Sequence, residues 1–543
     1  MKIIFEGFAY PTQTLRTVLK NDLLLNTFEA KATTPYVGYF FDEKSKDSIF
    51  ILPKVFVNAQ YLAFEKFSPL EILDLNEDNN PLRQSENYTQ IFELSVWLYK
   101  AIERFNSRHP QNTISSTKNI QNALNSKGGN QETYLDIILS LLDFYKQNKN
   151  LFTFIYKKSK SGYNKINWEK TFSKETPIIN GKTPIYTKLS TQKKTVNFDE
   201  QLLVLFYSSL DYLKLNYKFK IKDYQGFQPL KHKEFSSLLS SGKALKILKS
   251  IRKNYFTDRL VDLWNLLYIF FDKTERILNH KYREEMLLIK NFNEVFEDMI
   301  DCLISDSDIP EGLKNQKDGK LIDHIYTNPS LTNFENDIYY IGDSKYYKDT
   351  TEIGENSVYK QFTYAKNVIQ YNIDILNSGN VTGNFRYRDN LTEGYDITPN
   401  FFIRGKIFDG FLKLDSSLNL QNIHFANRLF DRDTLILLSY DINFLKVLSA
   451  YVLNSEQLYR DKIRKTFRHH VVEYFNRKFD FYKVYPKNSI FDFTNDNFRK
   501  YIGKMFCPRD GENFIWFAFE KNTADFSSII GDAVIDKESL YSD

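Results

Sequence analysis

Residues 338–348 read IYYIGDSKYYK, an apolar, tyrosine-rich run interrupted by an Asp and a Lys two positions apart. In an extended strand, residues i and i+2 share a side, so Asp343 and Lys345 project together and Ser344 projects the other way. Such strands bury a face, and a buried charge is costly unless something pairs with it. Twenty positions before Asp343, Asp323 lies in a second short apolar run, KLIDHIY. Folding the two runs back across TNPSLTNFEND brings Asp323 beside Asp343. Two carboxylates so placed repel unless a proton or a divalent cation sits between them. Hard oxygen ligands of this kind select Mg²⁺ or Mn²⁺. A lysine alongside can orient an attacking water, help deprotonate it, and stabilise charge developing on a phosphate.

Flanking segments extend this constellation. Glu297, in NEVFEDMI, lies on an amphipathic stretch expected to pack against the two strands, where it could hold the metal or its water. Gln361 and Tyr364 sit three apart in ENSVYKQFTYAKNVIQYNIDIL and share a helical face that could contact a substrate phosphate or brace the metal site. An acid two residues before a Lys recurs by chance in a chain with 26% charged residues, so DSK alone is weak. The signal sharpens when a second apolar strand supplies Asp323 and the order is helix, strand, strand, helix. The plainer reading is a salt-bridged pair of strand residues.

The elements that must position these groups read as a mixed α/β (α+β) chain of several domains. Its 543 residues exceed one simple core, and 42% hydrophobic and 16% aromatic residues describe a folded protein. Residues 1–90 are β-rich, with YVGYFFDEKSKDSIFILPKVFVN (36–58) expected as a hairpin and 76–89 as a linker. Residues 91–279 are mostly helical, including 90–105, 131–147, 199–215 and 243–256, with a polar loop near 106–131. Residues 156–172 read as a basic loop around Trp168, whose Lys157, Lys158, Lys160 and Lys165 either contact phosphates or are simply solvated. Residues 283–304 are expected as one long helix, and 280–400 as the core that carries the acids. Residues 401–543 form an extension with a strand-to-helix unit at 427–452, a basic helix at 464–486 and a loose tail.

Charge excludes little. Lys and Arg number 73 against 68 acids, a net of +5, so a nucleic-acid face has to come from local segregation. Two cysteines, Cys302 and Cys507, exclude a disulfide framework and a cysteine-only zinc site. The opening MKIIFEGFAYP has no secretory apolar run, and no stretch approaches the roughly 18 apolar residues of a membrane span. The expectation is a cytoplasmic protein with no membrane partner.

With these residues in view, the chain resembles the PD-(D/E)XK nuclease superfamily, Asp323 matching its first acid and Asp343 and Lys345 its (D/E)xK. Within it, FNEVFEDMI, LIDHI, IGDSKYYK and YKQFTYAKN, in this order, resemble the McrC nuclease subunits and the related LlaJI-type restriction endonucleases. SIFILPKVFV, SGYNKINWEKTF and NRLFDRDTLILLSYDINFL are similar to the LlaJI type in particular. The superfamily's usual proline before the first acid is replaced by Ile322. The resemblance implies a Mg²⁺-dependent endonuclease of a bacterial restriction (anti-phage defence) system, with Asp323, Asp343 and Lys345 essential and Glu297 and Gln361 supporting. It further implies double-stranded DNA as substrate and an AAA+ GTPase of the McrB type as partner, docked through the N-terminal region. No GxxxxGK[ST] loop occurs in this chain, so such a motor is another polypeptide.

Other residues invite chemistry less strongly. His469 and His470 in FRHHVVEYF diverge by about 100° on a helix and do not readily share a ligand. The helix they occupy, with Arg468, is expected as a basic face near DNA or a plain surface helix. His324 points away from Asp323 and reads as packing. Arg428, Asp431, Arg432 and Asp433 are expected as an internal salt-bridge network. Two alternatives stay open: an assembly subunit that stimulates a GTPase and binds DNA without cutting it, and a nuclease for RNA or repair intermediates. Homo-oligomerisation is left open as well.

Overall fold

The computed structural model describes the chain outside residues 43–46, 76, 78, 86, 110–133, 149–155, 160–164, 197–199, 218–227, 279–284, 316–320, 334–335, 349–350, 352, 378–387, 390, 409–415, 425–426, 434, 487–495, 509–513, 527–532 and 542–543. The polar loop expected near 106–131 therefore lies largely outside the described residues.

The N-terminal module is a four-stranded sheet of β1 (Lys2–Phe5), β2 (Val37–Asp42), β3 (Asp47–Leu52) and β4 (Glu285–Ile289), in the order β1-β3-β2-β4. β2 and β3 form the expected hairpin, and β1 joins β3 in parallel. β4 corrects the expectation of one long helix from 283. Its run of adjacent apolar residues suits a helix or a strand alone. Pairing with β2, some 250 residues earlier, decides for the strand, with Leu288 opposite Gly38. The middle of the chain is helical, with α1 (Asn87–Arg108), α2 (Tyr134–Gln147), α3 (Gln201–Tyr217), α4 (His232–Ser240), α5 (Lys243–Ile251) and α6 (Asp258–Leu278). The expected linker before α1 is partly structured: a short 3-10 turn spans Pro81–Gln84, with buried Asn80 accepting from the Leu82 amide at 3.0 Å.

The expected basic loop at 156–172 is instead two short strands, Tyr156–Ser159 and Lys165–Ile166, both paired with Thr191–Val196, followed by a helix Trp168–Lys174. The pairing partner lies too far along the chain for local pattern to show it.

The sheet that carries the acids has five strands: β5 (His324–Pro329), β6 (Asp337–Lys345), β7 (Asn400–Lys406), β8 (Ser416–His424) and β9 (Leu435–Asn443). The order is β5-β6-β7-β9-β8, with β6, β7 and β9 parallel and the two outer strands antiparallel to their neighbours. Three of its strands thus lie at 400–443, beyond the expected end of the core. α7 (Phe292–Ile304) precedes β5 and α8 (Glu355–Asn377) follows β6, in the expected order. The central strands β7 and β9 are almost wholly buried, as parallel strands covered on both faces must be.

β9 runs directly into α9 (Phe444–Val452), whose first turn is capped by Asn443 Oδ1 accepting from the Leu445 amide at 3.0 Å. α10 (Glu456–Lys478) then ends where β10 (Phe479–Pro486) begins, so the expected basic helix at 464–486 is half helix and half strand. Phe479 and Phe481 give the strand one buried face, and Val484 is buried on the other. β10 sits between β12 (Ile515–Glu520) and β13 (Ala533–Glu538), with β11 (Met505–Phe506) outside β12. The tail is therefore a strand rather than loose: Leu540 is buried, and its amide donates to Asn476 Oδ1 at 2.9 Å.

Candidate active site

Antiparallel register sets His324 opposite Gly342, which brings Asp323, one step before β5, beside Asp343. The two carboxyls are hydrogen-bonded to each other. Lys345 Nζ lies 2.5 Å from Asp343 Oδ2, and its charge also sits over the Phe402 ring at 5.2 Å. Glu297 reaches this group from α7 and feels the charge of both Asp343 and Lys345. The structure therefore gathers Glu297, Asp323, Asp343 and Lys345 at one end of β6.

Burial first, then the shared hydrogen bond and the charges of Asp343 and Glu297, push the Asp323 carboxyl up to about 8 against the pull of Lys345. Burial and then Asp343 raise Glu297 to about 7, opposed by a hydrogen bond from Asn293 and by Lys345. One lysine does not neutralise three converging carboxyls, and Asp323 and Glu297 keep protons into the neutral range. All their donors are hard carboxylate oxygens, and the charge excess is of the sign that a divalent cation relieves. Among the described residues no three such groups are set out as a finished metal cage, because here the acids bond to one another and to the lysine. The donor chemistry fits Mg²⁺ or Mn²⁺ on Asp323, Asp343 and Glu297.

The other expected site residues fall elsewhere. Gln361 is fully buried on α8, where its Nε2 donates to Asn400 Oδ1 at 2.8 Å and Asn400 Nδ2 donates back to the Gln361 carbonyl at 3.2 Å. Asn400 pairs with Ile341, two residues before Asp343, so Gln361 ties α8 to the sheet beside the acids rather than touching them in this arrangement. Tyr364 is buried in the apolar core and has no surface from which to meet a phosphate. Arg468, expected on a DNA-facing helix, is 2% exposed. It donates to the carbonyls of Pro329 (3.4 Å), Ser330 (3.0 Å) and Tyr541 (2.9 Å), and so acts as an internal strut. The side chains of Lys157, Lys158 and Lys165, and the whole of Lys160, lie outside the described residues. Arg428, Asp431, Arg432 and Asp433 are partly exposed rather than internal: Arg428 pairs with Asp431 at 3.1 Å, the Asp433 amide donates to Asp431 Oδ1 at 2.9 Å, Asp433 pairs with Lys366 at 2.9 Å, and Arg432 donates to Gln370 at 2.9 Å.

Sequence reasoning missed the cross-strand row Lys345, Arg404, Asp441. Register places these three opposite one another on β6, β7 and β9. Arg404 Nε donates to the buried Asp441 Oδ1 at 2.8 Å, and Lys406 Nζ lies 3.1 Å from Asp441 Oδ2. The alternation Arg-Gly-Lys in NFFIRGK was the available signal, since a strand puts both cations on one face. Also missed was the support behind Lys345. Tyr346 OH donates to the buried Glu6 at 2.5 Å and accepts from the Lys54 amide at 3.2 Å, fastening the N-terminal module to the end of β6.

No family model matches the chain, and no curated protein matches it. Among solved structures, one match is the refined half-complex from the tetradecameric assembly of Thermococcus gammatolerans McrB AAA+ hexamers with bound McrC. The match has 11% identity, covers 84% of this chain and 99% of that chain, and has a TM-score of 0.28. A likeness at that level fixes neither fold nor activity. Among the described residues, no helix is long and apolar enough to cross a membrane.

Proposed function

We propose that this chain hydrolyses phosphodiester bonds as a divalent-cation-dependent nuclease, with Asp323, Asp343 and Lys345 as its catalytic residues and Glu297 supporting them. One observation carries the reading: three carboxyls converge on a single lysine at the end of a buried strand, and burial, reinforced by their neighbouring charges, raises Asp323 to about 8 and Glu297 to about 7. A salt-bridged strand needs one acid for one lysine, and the second and third cost free energy unless they hold something.

Asp323, Asp343 and Glu297 would hold Mg²⁺ or Mn²⁺, which when bound supplies charge to the phosphate and acidifies water. Lys345 positions the attacking water and donates to the phosphate oxygen on which charge develops. Glu297, the third carboxyl at this point, would complete the set of oxygen donors that holds the cation. Phe402 beneath Lys345 walls the ammonium from solvent on one side and strengthens its field. The sequence resemblance adds DNA as the substrate, restriction as the setting and an AAA+ GTPase as the partner.

The test is cleavage of plasmid DNA and of RNA with Mg²⁺, by the wild-type chain and by Lys345→Ala, each with and without a candidate AAA+ protein and GTP. Loss of cutting in Lys345→Ala, with folding intact, supports hydrolysis at this site, and dependence on the AAA+ protein supports the partner. Equal cutting by both chains removes the site. Absence of cutting by either, with GTP hydrolysis stimulated by both, leaves a non-catalytic assembly subunit.

A further inference from the structure

Beside Lys345 a cleft of about 240 Å³ opens between the N-terminal module and the ends of β6 and β7. One wall is Val55, Phe56, Asn58, Phe64 and Glu65, and the other carries Lys345, Lys348, Arg404 and Lys406. Besides Lys345, which Asp343 already pairs at 2.5 Å, three cations thus face one lining carboxylate, Glu65. Behind the second wall, Asp441 is shared by Arg404 and Lys406, so one negative charge serves two positive ones. Lys348 is held in place by donating to the Gly7 carbonyl at 2.8 Å. This is the local segregation of charge that the overall balance conceals.

The outer wall is a stiff loop. Tyr61, Phe64 and Glu65 all have positive φ (60°, 52° and 62°), a conformation that costs non-glycine residues free energy and persists only where surroundings enforce it. Asn58 Oδ1 enforces it by accepting from the Gln60 and Leu62 amides at 3.0 and 2.9 Å, and the Ala63 amide donates to the Phe67 carbonyl at 2.7 Å. The outcome is a Tyr61 ring 64% exposed at the mouth of a smaller recess that it lines together with Lys348. An aromatic side chain held out to solvent beside a cationic trough combines a base-stacking platform with a backbone-tracking groove.

We infer that this cleft takes the sugar–phosphate backbone of one polynucleotide strand leading from Lys345, with Lys348, Arg404 and Lys406 on its phosphates and Tyr61 stacked on an unpaired base. The inference rests on the nuclease reading and names its substrate: a strand that is single, or opened, where it enters the site. A space of this size takes a backbone unit, and the exposed Tyr61 ring beside it offers the stacking surface that an unpaired base needs. The N-terminal module, expected only to dock a partner, becomes a wall of the substrate site.

The test is fluorescence anisotropy of a labelled 15-nucleotide single strand and the matching duplex with the full chain in EDTA, over a series of salt concentrations. Tyr61→Asn keeps the left-handed backbone, which Asn tolerates, and removes the ring. It should weaken single-strand binding by about 5- to 150-fold, the worth of one stacked base, with the salt slope unchanged and with Tyr61→Phe restoring binding. Lys406→Gln should flatten the slope of log Kd against log salt by about 0.7, one phosphate contact on a single strand. Single-strand binding by both variants that matches wild type overturns the inference, as does tighter binding of the duplex without effect of Tyr61→Asn. Turnover plays no part in the binding measurement. Binding that depends on Tyr61 and Lys406 in a chain whose cutting ignores Lys345 upholds the cleft and sinks the hydrolysis. Cutting that needs Lys345 in variants binding as wild type sinks the cleft alone.

Discussion

His324 Nε2 and Ser344 Oγ meet at 2.6 Å on the opposite side of β5 and β6 from the bond between Asp323 and Asp343. The two strands are therefore tied on both faces within one residue of each acid. His324 Nδ1 lies 3.5 Å from Asp301 Oδ1, and His324 itself is fully buried. Ser344 is itself buried, so the Asp–His–Ser arrangement offers no exposed nucleophile. It is a brace for the acids.

Ser344→Ala should consequently cost about 1–3 kcal/mol of stability by leaving a buried imidazole nitrogen without its partner. It should also lower cleavage while the Mg²⁺ requirement persists. Urea unfolding measures the first effect and a metal titration of cutting the second. An unchanged unfolding midpoint would falsify the brace.

Neutralising one acid should stabilise the metal-free protein while ending its activity. Folded Asp323 holds its proton up to about 8, against 3.8 ordinarily, so at pH 7 folding already carries the cost of keeping it uncharged. Asp323→Asn starts neutral in both states and escapes that cost, gaining roughly 2 kcal/mol or more at pH 7–8 in EDTA. A thermal melt in EDTA that is lower for the variant than for wild type would count against converging acids as the source of strain.

The hairpin at 37–52, the order helix, strand, strand, helix and the meeting of Asp323 with Asp343 were all legible in the sequence. Each depends on contacts between near neighbours, where alternation and turn residues carry the signal. Glu285–Ile289 was not, because its apolar run suits two conformations and its partner Val37–Asp42 is remote. Arg468 looked like a surface cation since a helix with a weak apolar stripe gives no sign of which face is covered. Its partners are Pro329 and Ser330 in one segment and Tyr541 in another, which meet α10 only in the fold. Glu6 escaped notice for the same reason, lying 340 positions from Tyr346.

Asp396 offers a pH dependence separate from the acids. It is buried, accepts from Ser330 Oγ at 2.7 Å and from the Ile397 amide at 2.8 Å, and burial lifts its carboxyl to about 7. Folding therefore binds a proton between the unfolded value of 3.8 and about 7. Stability contributed by this group is full below about 4, falls as pH rises, and is lost above about 7, a span of about 4 kcal/mol. Asp396→Asn retains an accepting oxygen and removes the titration. Unfolding midpoints of wild type and variant from pH 4 to 8 should diverge steadily, the variant becoming the more stable. Parallel curves would place the proton elsewhere.

The last prediction concerns the fastening of the N-terminal module. Tyr346 follows Lys345 directly, and its ring packs against Phe292 of α7 at 5.4 Å while its hydroxyl engages Glu6 and the Lys54 amide. Lys54 Nζ lies over the same ring at 4.5 Å and reaches Glu6 at 3.9 Å, so one buried carboxylate, one phenol and one ammonium form the joint. Tyr346→Phe keeps the packing and removes the hydroxyl that bonds Glu6 and the Lys54 amide, leaving the direct bond of that amide to Glu6 at 3.3 Å. Glu6 then loses a charge-assisted hydrogen bond, worth about 1.5–3 kcal/mol. That loss should loosen the loop at 58–67 from β6, raise amide exchange there and leave exchange in β7 and β9 unchanged. Cutting should fall with kcat more than with KM, because Lys345 loses its fixed neighbour while the cations of the cleft remain. Glu6→Gln, which can still accept from the phenol, should recover most of the activity. A larger loss in Glu6→Gln than in Tyr346→Phe would mean that charge, not the hydrogen bond, holds the joint.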